Sequence, residues 1–233
     1  MKRALFILFV GIGCVFAKAE NTGWKVNGEL LIYSQHIWRG MRMGDTQTVE
    51  PSVTFSKGSF FLNFWAAKTF NDSYTEIDII PSFKLGNYQV TLFDYYNPGI
   101  GADNNYFSFK EGESCHSAEL AVSKNVSSQF PVRLFISSFF FGDKNPATGK
   151  PFYSTYAEAV VPFKLLGLTI EPTLGMTTHK GYYADHFAVI NTSLAVQGNI
   201  ALYGKLQMPV KLLLVYNPYR KEKLLSVGTG VYF

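Results

Sequence analysis

LLSVGTGVYF, residues 224–233, alternates without a break. Leu225, Val227, Thr229, Val231 and Phe233 are apolar or β-branched, whereas Ser226, Gly228, Gly230 and Tyr232 are small or carry a hydroxyl. Period-two alternation marks a strand with one apolar and one polar face. Chain termini are ordinarily frayed and polar. A strand carried to its last residue is expected where that strand closes a sheet.

The opposite end supplies a compartment. Lys2 and Arg3 precede an apolar stretch from Ala4 to Ala17, and Ala17-Lys18-Ala19 stands before Glu20. This has the form of a secretory signal peptide over residues 1–19, with a small-x-small cleavage site. Cleavage as a lipoprotein before Cys14 fits less well, because Gly11-Ile12-Gly13 lacks the large apolar residue expected three places upstream. Removing the segment takes away three of 21 basic residues and none of 17 acidic ones, so the formal net charge falls from +4 to +1. The alkaline balance therefore belongs to the signal, and no nucleic-acid partner is implied. Cys115 would be the single cysteine left of the two, so no internal disulfide is expected.

Residues 20–233 read as β throughout, an all-β transmembrane antiparallel barrel of about 12 strands, with amphipathic helical periodicity scarce. Strand-like segments recur at 24–37, 47–56, 59–69, 74–84, 88–96, 116–124, 132–141, 153–163, 168–177, 186–197, 207–216 and 224–233. Short Gly-, Asn- and Ser-bearing links, such as Lys57-Gly58 and Gly86-Asn87, alternate with longer ones such as Asn97 to Cys115. The Asn71-Asp72-Ser73 link is short for its class, and Gly198–Leu206 is long for its own. Short turns on one side and long loops on the other is the layout of outer-membrane barrels. An even strand number puts both termini on the short-turn side, the periplasm.

The faces agree. Val49, Pro51, Val53 and Phe55 oppose Thr48, Glu50, Ser52 and Thr54; Leu168, Ile170, Pro172 and Leu174 oppose Thr169, Glu171 and Thr173. Phe60 and Phe70, like Tyr153 and Phe163, share a face ten residues apart. At ~3.3 Å per residue and a tilt of ~40°, that spacing spans the ~25 Å between two aromatic girdles. Pro51, Pro81, Pro162 and Pro172 fall inside expected strands, where a closed barrel offers no edge to excuse a missing N–H. Bulges, rim positions or shifted registers must accommodate them. A last strand ending on Phe233 also resembles the C-terminal signal that the barrel assembly machinery of Gram-negative bacteria recognises.

YSQHIWRG, residues 33–40, followed by VEPSV, NFWAA, YTEID and FDYYNP, resembles the TorF-like family of porins. Ser34, Trp38, Arg39, Gly40, Glu76, Asp78, Tyr95 and Tyr96 fill that family's pattern, while His36 stands where an aromatic is more usual. The likeness covers roughly the first 80 residues after the signal. It implies an integral outer-membrane β-barrel of porin type, surrounded by outer-membrane lipid and passing small solutes or ions.

Alternation points Glu29, Glu76, Asp78, Glu119, Glu158 and Glu171 into the lumen, against Lys25, Arg133 and Lys211. Ionisable groups at membrane depth survive by facing an interior and finding partners. Such a set either lines a pore or forms a charge network filling a narrow barrel, with Phe61 and Trp65 beside it. Arg39, at the long-loop rim, is expected to meet Glu76 and Asp78 across the mouth. Two other classes stay open. A lipid-modifying enzyme would use His116 with Ser114 or Ser117, or His179 or His186 with Asp185. A partner-binding or structural barrel would use Cys115 and the 97–115 loop. No phosphate-cradling glycine motif is found, and neither cofactor nor metal is expected.

Overall fold

The computed structural model describes residues 23–99, 105–110, 113–127, 129, 131–203 and 206–233, and the expected signal segment lies outside them. Fifteen strands and no helix are formed by the described residues. They are β1 (Lys25–Tyr33), β2 (His36–Trp38), β3 (Met41–Met43), β4 (Thr48–Lys57), β5 (Phe60–Thr69), β6 (Thr75–Leu85), β7 (Tyr88–Tyr96) and β8 (His116–Asn125). They continue with β9 (Arg133–Phe141), β10 (Thr155–Val160), β11 (Phe163–Leu165), β12 (Leu168–Thr177), β13 (Ala188–Tyr203), β14 (Leu206–Asn217) and β15 (Glu222–Tyr232).

β1 pairs with β4, and pairing then follows chain order to β10, passes to β12 and continues to β15. The ring closes where β15 meets β1, from Glu29 opposite Tyr232 to Tyr33 opposite Gly228. All twelve ring pairings are antiparallel. β11 pairs with β12 alone, outside the ring. β2 and β3 form a separate hairpin in the loop after β1.

The closing residue is Phe233. Its N–H donates to Gly28 O at 2.9 Å, and Gly28 N–H donates to Phe233 O at 2.7 Å. Its ring lies so close over Gly28 that a Cβ there would sit 2.1 Å from a ring carbon. A larger residue at position 28 would therefore have to displace the Phe233 ring from the seam.

Burial is inverted relative to a soluble protein. Leu30, Ile32, Leu92, Leu120, Val122, Leu134, Ile136, Leu174, Leu214, Leu225, Val227 and Val231 face outward at 37–52% exposure. Glu50, Ser52, Asp78, Glu119 and Ser137 are buried within. An apolar wall around a polar interior is how a barrel is patterned when its solvent is hydrocarbon.

The prolines need no bulge. Pairing between β4 and β5 lapses at Glu50–Pro51, between Val49↔Lys68 and Ser52↔Trp65, while Pro51 still faces Leu30 on the other side. Pro81 faces a like gap between Ile79↔Asp94 and Ser82↔Thr91. Pro162 separates β10 from β11, and Pro172 lies opposite that break, its carbonyl accepting from Val161 N–H at 3.0 Å. Each ring thus faces a rung that is not made, and the register carries on unshifted.

Three expectations are corrected. The first segment ends at Tyr33 rather than continuing to residue 37, because the chain turns inward there. The eighth is broken at Pro162. The Gly198–Leu206 link is not long: β13 runs to Tyr203 and β14 begins at Leu206.

Candidate functional site: the closed mouth of the barrel

Residues 34–47 connect β1 to β4 at the long-loop end, and they fold into the lumen. The β2–β3 hairpin turns on Arg39 and Gly40, with φ of 48° and 82°. Positive φ at both central residues is the primed turn whose twist suits a two-residue hairpin. Gly40 also seats the hairpin on the far wall. A Cβ there would lie 2.1 Å from Ile190 O, and Gly40 O accepts from Asn217 Nδ2 at 3.1 Å. Arg39 takes the left-handed conformation at some steric cost, so its side chain must compensate.

It does so by a fork of hydrogen bonds. Nη1 donates to Glu119 Oε1 and Nη2 to Glu119 Oε2, both at 2.7 Å. Nη1 also donates to the Tyr183 hydroxyl, and Tyr95 OH donates to Glu119 Oε2 at 2.8 Å. The guanidinium carbon lies 4.6 Å from the ring centres of both Trp38 and Tyr156 and 5.3 Å from that of Phe135. The arginine side chain is 8% exposed and that of Glu119 is fully buried. Burial opposes the guanidinium charge, but the surrounding hydrogen-bond partners outweigh it and hold the group well above its ordinary value. Burial pushes the Tyr183 hydroxyl up, against the opposing pull of Arg39, so Tyr183 stays neutral.

The expected contact of Arg39 with Glu76 and Asp78 is therefore corrected. The hairpin crosses the mouth and delivers the guanidinium to β8 rather than β6. Glu76 is held elsewhere, accepting from Tyr74 OH at 2.5 Å and Asn97 Nδ2 at 2.8 Å. Asp78 is buried in the row between Trp65 and Tyr95.

A second clasp lies at the start of the hairpin. His36 Nδ1 is 2.9 Å from Glu50 Oε1, and its ring stacks on Tyr74 with centroids 5.7 Å apart. His36 Nε2 and Asp78 Oδ1 are buried without hydrogen-bond partners among the described residues. Met41, Tyr95, Phe139, Tyr156, Tyr183, Ala184, Ala188 and Ile190 form the buried apolar cluster, with Trp38, Met43, Phe93 and Phe135 packed against it. This core fills the long-loop end of the lumen.

The other lumenal charges lie towards the short-turn end. Lys25 and Arg133 are exposed, and Glu29, Glu158, Glu171 and Lys211 are half-buried. Arg133 Nη1 is 3.8 Å from Glu171 Oε1, with both side chains partly exposed, so the contact is weak. Glu158 accepts from Tyr156 OH at 2.7 Å. Sequence reasoning left Glu50 out of the lumenal charges although alternation had placed it on the polar face. It had no signal for Tyr183, whose role depends on the inward path of two loops.

His116 points outward from the wall, not into the lumen. Its Nδ1 is 2.8 Å from Asp94 Oδ1, its Nε2 is 2.6 Å from Tyr106 O, and its ring stacks on Phe109. Ser114 Oγ accepts from His116 backbone N–H at 3.0 Å, and both imidazole nitrogens are taken by Asp94 and the Tyr106 carbonyl rather than by a serine. These contacts pin the 105–110 segment to the barrel wall. His179 Nε2 meets Phe152 O at 3.2 Å. His186 and Asp185 pair at 2.5 Å on the surface. Among the described residues, no group of three or more His, Cys, Asp or Glu is placed to hold a metal. No protein-family model and no curated relative matches the chain.

Proposed function

We propose that the protein is an integral outer-membrane channel for small solutes or ions, held shut at its long-loop mouth by the β2–β3 hairpin. The observation that carries this is the division of the lumen. Beneath the packed hairpin the wall stays charged and wet, with Lys25, Glu29, Arg133, Glu158, Glu171 and Lys211 in partial contact with solvent. A barrel filled only for strength would have no use for half-solvated charges inside, where apolar packing is at least as stabilising. The outward apolar wall supports membrane insertion, and the TorF-like pattern around Trp38-Arg39-Gly40 points the same way.

Gating rather than a permanent plug is supported by what the closed state leaves unsatisfied. His36 Nε2 and Asp78 Oδ1 lack hydrogen bonds among the described residues, and each such buried group costs about 1–3 kcal/mol. Seating the hairpin is thus only moderately favourable. Beneath it Glu29, Glu158 and Glu171 balance Lys25, Arg133 and Lys211; over the whole lumen, with Glu50, Glu76, Asp78 and Glu119 at the mouth, carboxylates outnumber cations, which favours cations in transit.

Planar-bilayer recording tests this. The wild type should be closed most of the time, and Arg39→Ala should raise open probability at least tenfold, with reversal potentials in a KCl gradient showing weak cation preference. A folded Arg39→Ala barrel that never conducts would refute the channel.

A further inference from the structure

Above the plug, the loop 178–187 and the β14–β15 turn flank an open, shallow cleft of about 300 Å³. Lys180, Gly181, Tyr182, Tyr183, Ala184, Asp185, Tyr219 and Arg220 line it. Its floor is rigid. Tyr183 is tied to Arg39, Tyr182 N–H donates to Ser154 Oγ at 2.6 Å, and Gly181 N–H donates to Ala184 O at 2.8 Å. The volume lies at the lower end of the range for small-molecule sites.

The charges in this cleft do not cancel. Asp185, its sole carboxylate, is already engaged: Tyr219 OH donates to Oδ1 at 3.0 Å and His186 sits at 2.5 Å. The hydrogen bond from Tyr219, then that from His186, holds this carboxyl below its ordinary range. Lys180 and Arg220 make no ion pair among the described residues, and both are exposed. Two unpaired cations therefore flank a pocket walled by the exposed rings of Tyr182 and Tyr219, above the buried Tyr183. Arginine and lysine together suit a phosphate, and flat aromatic walls suit the apolar face of a sugar ring.

We propose that this cleft binds a phosphorylated saccharide, with Lys180 and Arg220 on the phosphate and Tyr182 and Tyr219 against the ring. The site goes beyond the channel reading and does not depend on conduction. The same chemistry is offered by a free sugar phosphate and by the phosphorylated sugar of a glycolipid headgroup.

Isothermal titration of the full chain in non-ionic detergent tests it, with glucose 6-phosphate as the probe and glucose as the uncharged control. Glucose 6-phosphate should bind and glucose should not. The double variant Lys180→Gln, Arg220→Gln changes two exposed side chains, and it should weaken binding at least tenfold while thermal unfolding stays in place. Raising salt from 50 to 200 mM should weaken the wild type in the same direction. No heat with glucose 6-phosphate, or equal affinity in the double variant, overturns the assignment. Repeating the titration in nanodiscs with and without lipopolysaccharide separates the two sources. Competition identifies the headgroup as occupant, and undiminished binding identifies the free solute.

Discussion

Replacing Arg39 with alanine would leave Glu119 fully buried with Tyr95 as its remaining hydrogen-bond donor. Breaking one side of a buried ion pair costs ~3–5 kcal/mol, because the surviving charge is uncompensated. Lost contact with the Trp38 and Tyr156 rings adds ~0.5–2 kcal/mol. Against this, Arg39 adopts φ of 48°, a conformation that costs a non-glycine residue ~1–2 kcal/mol. Alanine keeps that strain and glycine removes it. Arg39→Gly should therefore be less damaging than Arg39→Ala by about 1 kcal/mol, although it deletes more of the side chain. Urea unfolding of the barrel in lipid vesicles, followed by tryptophan fluorescence, gives both values. The cycle with Glu119→Ala should show coupling of at least ~1 kcal/mol. The cycle with Glu76→Ala should be near additive, since Tyr74 and Asn97 occupy that carboxylate. A hairpin that swings out as a unit caps the loss at its seating free energy, and channel openings then report the variant instead. Additivity with Glu119 to within ~0.5 kcal/mol, without any openings, would show that the fork contributes nothing.

Two further substitutions and one labelling experiment follow from the geometry. Gly40→Ala drives a methyl group against the Ile190 carbonyl, a backbone atom that cannot move aside; amide exchange over residues 36–43 should accelerate at least tenfold, and unchanged protection would place the hairpin elsewhere. Gly28→Val collides with the Phe233 ring, so the heat-resistant folded band on SDS gels should shrink; a wild-type band would mean that the seam tolerates a side chain. Cys115 lies half-buried at the long-loop end, its carbonyl accepting from Asn97 N–H at 2.9 Å. A membrane-impermeant thiol reagent should label it on intact cells, and labelling only after the outer membrane is breached would invert the proposed orientation.

The ring was legible because strand alternation is local. Each strand faces the outside of the ring on one side and the lumen on the other, so every second residue reports its own environment. Tyr88–Tyr96 and Leu168–Thr177 could be delimited to the residue for that reason. The mouth was not legible in the same way. Arg39 was visible as a special residue beside Gly40, but its partner depends on a loop folding inward, and no periodicity encodes that path. Glu50 shows the intermediate case: alternation placed it inside, yet only the position of His36 reveals what it holds. The prolines misled in the opposite sense, since alternation cannot show which rungs of a ladder are left unmade.

The seat of the hairpin also orders events during assembly. Arg39 reaches Glu119 across 80 residues, and Gly40 reaches Asn217 across 177. Contacts so distant in sequence form late, because the entropy of closing long loops must be met before they contribute. The hairpin leaves from beside β1, yet its docking surface includes β13 and β14, strands that come together only as the ring nears completion. Closure of the wall must therefore precede closure of the mouth. Each newly made barrel passes through an unplugged stage, in which the lumen stays open at its long-loop end until the hairpin docks.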